Sequence, residues 1–211
     1  MPTRYARSAK RLGRPRIAEQ QEPTSARILK VAAKFFMENG FEGVRIEEIA
    51  EQCEVTKAVV YYYFNSKADL FVASMKSTME TVYYITKQIL ESDQPFYDRL
   101  LTVAIARLNL ASTLEMHAIM RGTDKMLTDA QRDEMEKAEL RLYELLVDAF
   151  KRAESEHEIT RIEPEVGAWI YFSALNSTYF AHHHVNPDPQ VLAQSLLDAL
   201  FSGIGKIHEG E

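Results

Sequence analysis

The residues best suited to chemistry lie in one short run, Val55-Thr-Lys-Ala-Val-Val-Tyr-Tyr-Tyr-Phe-Asn-Ser-Lys67. It combines hydroxyls, ammonium groups and aromatic rings within a few helical turns. That set suits recognition of a polyanion better than bond-making. Lys57 and Lys67 are point charges for phosphate oxygens, and Thr56 can cap a helix while also bonding a phosphate. Tyr61 offers its hydroxyl to phosphate. Tyr62 offers an apolar edge and a hydroxyl to the major groove. At about 100° per residue, Tyr61, Tyr62 and Tyr63 fan across most of a helix surface, so they cannot all enter one small core. Tyr63 is expected inward, with Val59 and Val60. Tyr61 and Tyr62 are expected outward, facing nucleic acid.

A second cationic feature lies at the N-terminus. The whole chain of 211 residues carries a net charge of -6, which alone disfavours a nucleic-acid partner. Residues 1–16, however, hold six basic residues and no acid, leaving the remainder at -12. Within this arm, Arg11-Leu-Gly-Arg-Pro-Arg16 resembles an AT-hook core, and Arg14 and Arg16 are candidates for a narrow A·T minor groove. The alternative is a disordered solubilising terminus.

The elements that must hold these residues are helical. Ile28, Val31, Ala32, Phe35 and Phe36 form one apolar stripe, ended at Asn39-Gly40 with Phe41 folding back. Ile46, Ile49, Ala50 and Cys53 mark a short second helix. Glu54-Val55 makes a tight break, Thr56 caps a third helix, and Ser66-Lys-Ala-Asp69 opens a fourth with the form of a capping box. Two short helices across a tight turn, braced by a longer one, make a helix-turn-helix. Beyond it, helices are expected from about Lys67 to Leu90 (Phe71, Met75, Val82, Ile85 and Ile89 inward), after Pro95, near Met116–Met120, from Ala130 to Glu156, from Pro164 to about His183, and from Pro189 to Ile207. No strand pattern is evident. The expected architecture is all-α, with a flexible arm at 1–22, a helix-turn-helix domain at 23–68 and a helical sensing and dimerisation domain at 69–211.

Several of these segments resemble the TetR family of bacterial transcriptional regulators: Arg27-Ile-Leu-Lys-Val-Ala-Ala-Lys-Phe-Phe36, Asn39-Gly-Phe41, Ile46-Glu-Glu-Ile-Ala50, Val55–Phe64 and Ser66-Lys67. The resemblance covers about residues 25–72. It implies a dimeric repressor with an N-terminal DNA-binding domain and a C-terminal ligand-sensing domain. On that pattern Thr56, Lys57 and Ala58 open the recognition helix, Ala58 standing where glycine is frequent. Tyr61 and Tyr62 match DNA-contacting aromatics, and Lys67 matches a phosphate contact. Val44-Arg45 departs from the family's hydroxyl cap. Arg45 has no side-chain oxygen to cap with, but it can reach a phosphate or base.

For the larger domain the candidate pocket residues are Met79, Tyr83, Met116, His117, Met120, Trp169, Phe172 and Asn176. Methionine and aromatic side chains adapt to varied ligands, and a hydrophobic or amphipathic small molecule is the expected effector. The same residues at helical spacing also make ordinary core. Small and apolar residues on the last two helices suggest a four-helix homodimer interface presenting two recognition helices to a pseudo-palindromic DNA operator. His182-His-His184 cannot chelate one ion from a helix, since neighbours diverge by about 100°. No metal, cofactor or catalytic residue is expected. No apolar run approaches the roughly 20 residues of a membrane span, and no apolar signal core follows the basic N-terminus. With one cysteine, this fits a cytoplasmic protein. The alternatives are a helical metal-dependent enzyme, disfavoured by the lack of a pair of Glu-x-x-His motifs, of His-Glu-x-x-His and of a nucleophile elbow, and a nonspecific nucleoid-binding protein.

Overall fold

A computed structural model describes residues 22–111, 126–160, 162–184 and 188–202. Among the described residues, eight helices follow one another: α1 (Thr24–Gly43), α2 (Ile46–Gln52), α3 (Lys57–Tyr63), α4 (Lys67–Leu90), α5 (Phe96–Ala111), α6 (Asp129–Ser155), α7 (Pro164–His184) and α8 (Pro189–Ser202). No strand occurs among the described residues. The arm with Arg14 and Arg16, and the segment with Met116, His117 and Met120, lie outside the described residues.

Two buried clusters organise the helices. The first joins α1, α2, α3 and the start of α4 through Ile28, Phe36, Ile49, Val60, Leu70 and Phe71. The second joins the end of α4 to α5, α6, α7 and α8 through Leu90, Leu100, Phe150, Tyr171 and Leu197. Leu127 and Met135, before and on α6, belong to the first cluster rather than the second. Around them, Gln131 Nε2 donates to Asp69 Oδ1 at 2.9 Å, and Lys76 pairs with Glu134 at 2.7 Å. One end of α6 is therefore built into the helix-turn-helix core.

The lower half of α4 is rotated by one residue from the sequence expectation. Ile85 is exposed, while Thr86 and Leu90 are buried. Periodicity counted on apolar residues alone passes over a threonine, yet Thr86 continues the four-residue steps that run from Val82 to Leu90.

α1 breaks where glycine was expected to break it. Gly40 has φ 69° and ψ 171°, a region that side chains other than glycine's enter only with strain. The reversal returns Phe41 to stack on Phe36 at 5.9 Å. A Cβ at Gly40 would meet nothing within 4 Å, so a substitution there is governed by backbone strain, not crowding. Gly40→Ala is expected to cost about 2 kcal/mol in urea unfolding. Gly167 has the opposite character. A Cβ there would lie 2.6 Å from the Phe150 ring, so the absent side chain is what lets α7 approach α6.

Candidate nucleic-acid interface

The turn between α2 and α3 is fixed by backbone bonds. Val55 N donates to Ala50 O and Glu54 N to Glu51 O, both at 2.9 Å. With Glu54 at φ 52°, this is a Schellman closure that occupies the last carbonyls of α2. Val55 then packs against the first cluster. α3 starts at once, with Thr56 Oγ1 accepting from Val59 N at 3.4 Å. The hydroxyl therefore caps the helix as expected.

α2 has no hydroxyl cap, and its sequence supplies a substitute. The Arg45 N–H donates to Glu48 Oε2 at 3.3 Å, which is the reciprocal half of a capping box. Val44 is buried just ahead of it, in the same cluster as Ile49, like a hydrophobic staple. The Arg45 guanidinium is thus left exposed and uncommitted to the cap.

Only Val60 of α3 is fully buried. Thr56, Lys57, Ala58, Tyr61 and Tyr62 are all exposed. Tyr62 is 83% exposed, so its ring stands in solvent as an unfilled contact. Tyr63 corrects the sequence expectation: it is 45% exposed rather than inward. Val60 already fills the inner position, and Phe64, just past the helix end, packs against the cluster. The Tyr63 ring is left at the domain edge, edge-on to Tyr62 at 5.2 Å.

The charges are organised too. Lys57 Nζ donates to Glu47 Oε1 at 2.6 Å, tying α3 to α2, and sits 5.7 Å from the Tyr61 ring centre. This bond raises the Lys57 ammonium above its ordinary pKa and lowers the Glu47 carboxyl below its own. Both groups lie at the surface, so a phosphate can exchange for Glu47 at little cost. Lys67 opens α4 with its ammonium 4.8 Å from the Phe41 ring centre, donating to Glu42 O at 3.4 Å. It thus braces the end of α1. Ser66 caps α4 by accepting from Asp69 N at 3.0 Å.

A groove of about 460 Å³ opens between α6 and α7. Of the residues expected to line a pocket, Trp169, Phe172 and Asn176 meet here. Met79 packs instead against the first cluster, and Tyr83 lies under the Arg141 guanidinium at 4.7 Å. Glu136, Glu139 and Tyr143 on α6 complete the groove, and sequence reasoning passed them over. Their signal was a tyrosine four and seven residues after two glutamates, all on one face of a polar helix. Behind the groove, Arg107 donates to Asn176 Oδ1 at 2.8 Å, and burial holds its pKa below the usual arginine value. No group of side chains suited to holding a metal occurs among the described residues.

Comparison with known proteins agrees with this geometry. Residues 28–74 match the family described as bacterial regulatory proteins, tetR family, and over that segment the chain is similar to its members. It is 28% identical over 117 residues to the HTH-type transcriptional repressor SCO4008 of Streptomyces coelicolor, covering 56% of this chain and 61% of that one. It is 41% identical over 66 residues to the repressor NicS of Pseudomonas putida, covering 31% and 29%. The chain thus spans less than two thirds of the length of either relative. Its fold is similar to that of AibR, solved in complex with isovaleryl coenzyme A and operator DNA, with a TM-score of 0.66, 22% identity and coverage of 84% and 98%. The named relatives are transcriptional regulators, not enzymes.

Proposed function

We propose that this chain is a ligand-responsive transcriptional repressor of the cytoplasm. It binds a pseudo-palindromic operator as a homodimer and is released by a small molecule held in its larger helical region. The observation that carries this reading is the outward face of α3, where Thr56, Lys57, Ala58, Tyr61 and Tyr62 are exposed together on a helix with one fully buried residue. Arg45 and Lys67 extend the footprint, and Arg14 and Arg16 extend it further into a minor groove.

Dimerisation through the last two helices is supported by their uncovered apolar side chains: Val166 and Ile170 on α7 and Val191 on α8, each at least 39% exposed. A second copy related by a two-fold axis covers such a face with itself. Coupling is supported by α6, which lines the groove with Glu139 and Tyr143 and enters the helix-turn-helix core with Met135. Effector binding biases the position of α6. Effector and operator then weaken each other reciprocally.

The test is selection of duplexes from a random pool by the full chain, followed by competition with random DNA. Specific binding is expected to exceed nonspecific binding by roughly a thousandfold or more. Tyr62→Ala is expected to weaken the selected duplex about tenfold or more with an unchanged circular dichroism spectrum. Equal affinity for selected and random DNA would instead fit a nucleoid-binding protein and refute a regulator.

A further inference from the structure

The face that α3 turns to solvent carries an anion of its own. Arg45, Lys57 and Lys67 are the cations of the proposed footprint, and Glu47 stands among them. Its Oε1 accepts from Lys57 Nζ at 2.6 Å, and both side chains are 51% exposed. Lys67, by contrast, bonds a backbone carbonyl, Glu42 O, and keeps its full charge for a partner. Arg45, at the start of α2, attracts the Glu47 carboxylate more weakly than Lys57 does. Glu48, the next residue, is committed to the α2 cap, in which Glu47 has no part. A lysine that neutralises a phosphate releases a counterion from the duplex, and that release drives binding to any sequence. A lysine drawn away from a carboxylate gains little by it, because the bared carboxylate takes up a cation from solution. Glu47 therefore removes one unit of effective charge from the sequence-independent part of binding. The base-reading part rests instead on Ala58 and Tyr62, exposed on α3. The pair also ties α3 to α2 and keeps the Lys57 ammonium 5.7 Å from the Tyr61 ring centre. Its flexible stem is thereby held at one place on the footprint, instead of reaching for whichever phosphate lies near.

We infer that Glu47 is a specificity-determining residue, a positioning carboxylate that withholds Lys57 from the phosphates of random DNA and aims it for the selected duplex. The inference rests on the reading of α3 as the DNA-facing helix. It gives an acid on a DNA-binding face a use. Competing sites far outnumber an operator, so affinity lost on random sequence is selectivity gained.

Glu47→Gln keeps the size of the side chain and removes its charge. The full chain and this variant are titrated with the selected duplex and with random DNA across a salt series. On random DNA the variant is expected to bind about threefold or more tightly at low salt, with a log–log salt slope steeper by roughly 0.9 for each Lys57 that reaches a phosphate. On the selected duplex, affinity is expected to stay level or fall, so the ratio of selected to random binding drops. In a Lys57→Gln background the same substitution is expected to have a much smaller effect on the random-DNA slope, because Glu47 acts through Lys57. A slope untouched by Glu47→Gln, or a change as large without Lys57 as with it, would overturn the inference. So would an equal gain on both DNAs, which leaves selectivity unchanged and the regulator standing. No preferred duplex for the unaltered chain would refute the regulator and the specificity role together, a result that equal gains cannot mimic.

Discussion

Phe71→Ala is expected to lower stability by about 3–5 kcal/mol and to abolish DNA binding at ordinary temperatures. Phe71 stands on the first turns of α4, fully buried, where three rings meet. It is edge-on to Phe36 at 5.1 Å and to Phe41 at 5.4 Å, and those two stack on each other. The ring therefore joins three elements at once: α1, the returning segment after Gly40, and α4. Removing it leaves a cavity that a short three-helix unit cannot close, because α2 and α3 are seven residues each and too short to be stable alone. A domain's whole stability is about 5–15 kcal/mol, so the loss is decisive for the helix-turn-helix while the second cluster keeps its own packing. Urea unfolding followed by circular dichroism is the check, with Tyr84→Ala, at an exposed position, as a control expected to change stability by less than about 0.5 kcal/mol. A loss below about 1 kcal/mol for Phe71→Ala would contradict this description of the core.

Glu158→Ala is expected to cost about 3 kcal/mol, a fall in Tm of roughly 6–12 °C for a chain of this length. α6 ends in a second Schellman closure, with Glu158 N donating to Ala153 O at 2.8 Å and His157 at φ 60°. This turn aims the Glu158 carboxylate at the start of α5. There it accepts from Phe96 N at 2.6 Å and pairs with the Arg99 guanidinium. Arg99 is only 4% exposed, and its other bond goes to Leu90 O, the last carbonyl of α4, at 3.1 Å. Arg152 donates to the same carbonyl at 2.8 Å. The carboxylate thus holds the ends of three helices. Deleting it leaves a buried guanidinium with only the more distant Glu156 carboxylate, at 4.0 Å, and an α5 N–H without an acceptor. Glu158→Gln, which keeps an acceptor for Phe96 N, is expected to cost about half as much. Thermal unfolding of the two variants separates the contributions of charge and of hydrogen bonding. Equal losses in both would mean that the charge, not the cap on α5, carries the effect; an unchanged Tm in Glu158→Gln would mean the reverse.

The parts of this molecule that were legible in the sequence are those set by neighbours along the chain. Thr56 and Ser66 are caps because a hydroxyl precedes a helical run by the right interval. Gly40 breaks α1 because only glycine suits that backbone, and the short helices follow from turns that their own residues dictate. What was not legible depends on surfaces from distant parts of the chain. Tyr63 lies at the angle of an inward residue, yet Phe64 takes the available space and the ring stays at the edge. Ile85 gives way to Thr86 because α4 turns toward helices that come later in the chain. The groove joins Glu136 and Tyr143 to Trp169 and Asn176 across a reversal between two helices. Nothing along the chain distinguishes Glu158 from its neighbouring acids; its role comes from Arg99, which the fold brings beside it.

The central claim is that two copies of α3 read DNA together. Hydroxyl-radical footprinting of the full chain on a duplex selected from a random pool tests it most directly. The expected result is two protected segments related by a two-fold axis, in successive major grooves, about 34–36 Å or a multiple of that apart, both lost in Tyr62→Ala. A single asymmetric footprint, or protection that persists unchanged in that variant, would contradict it.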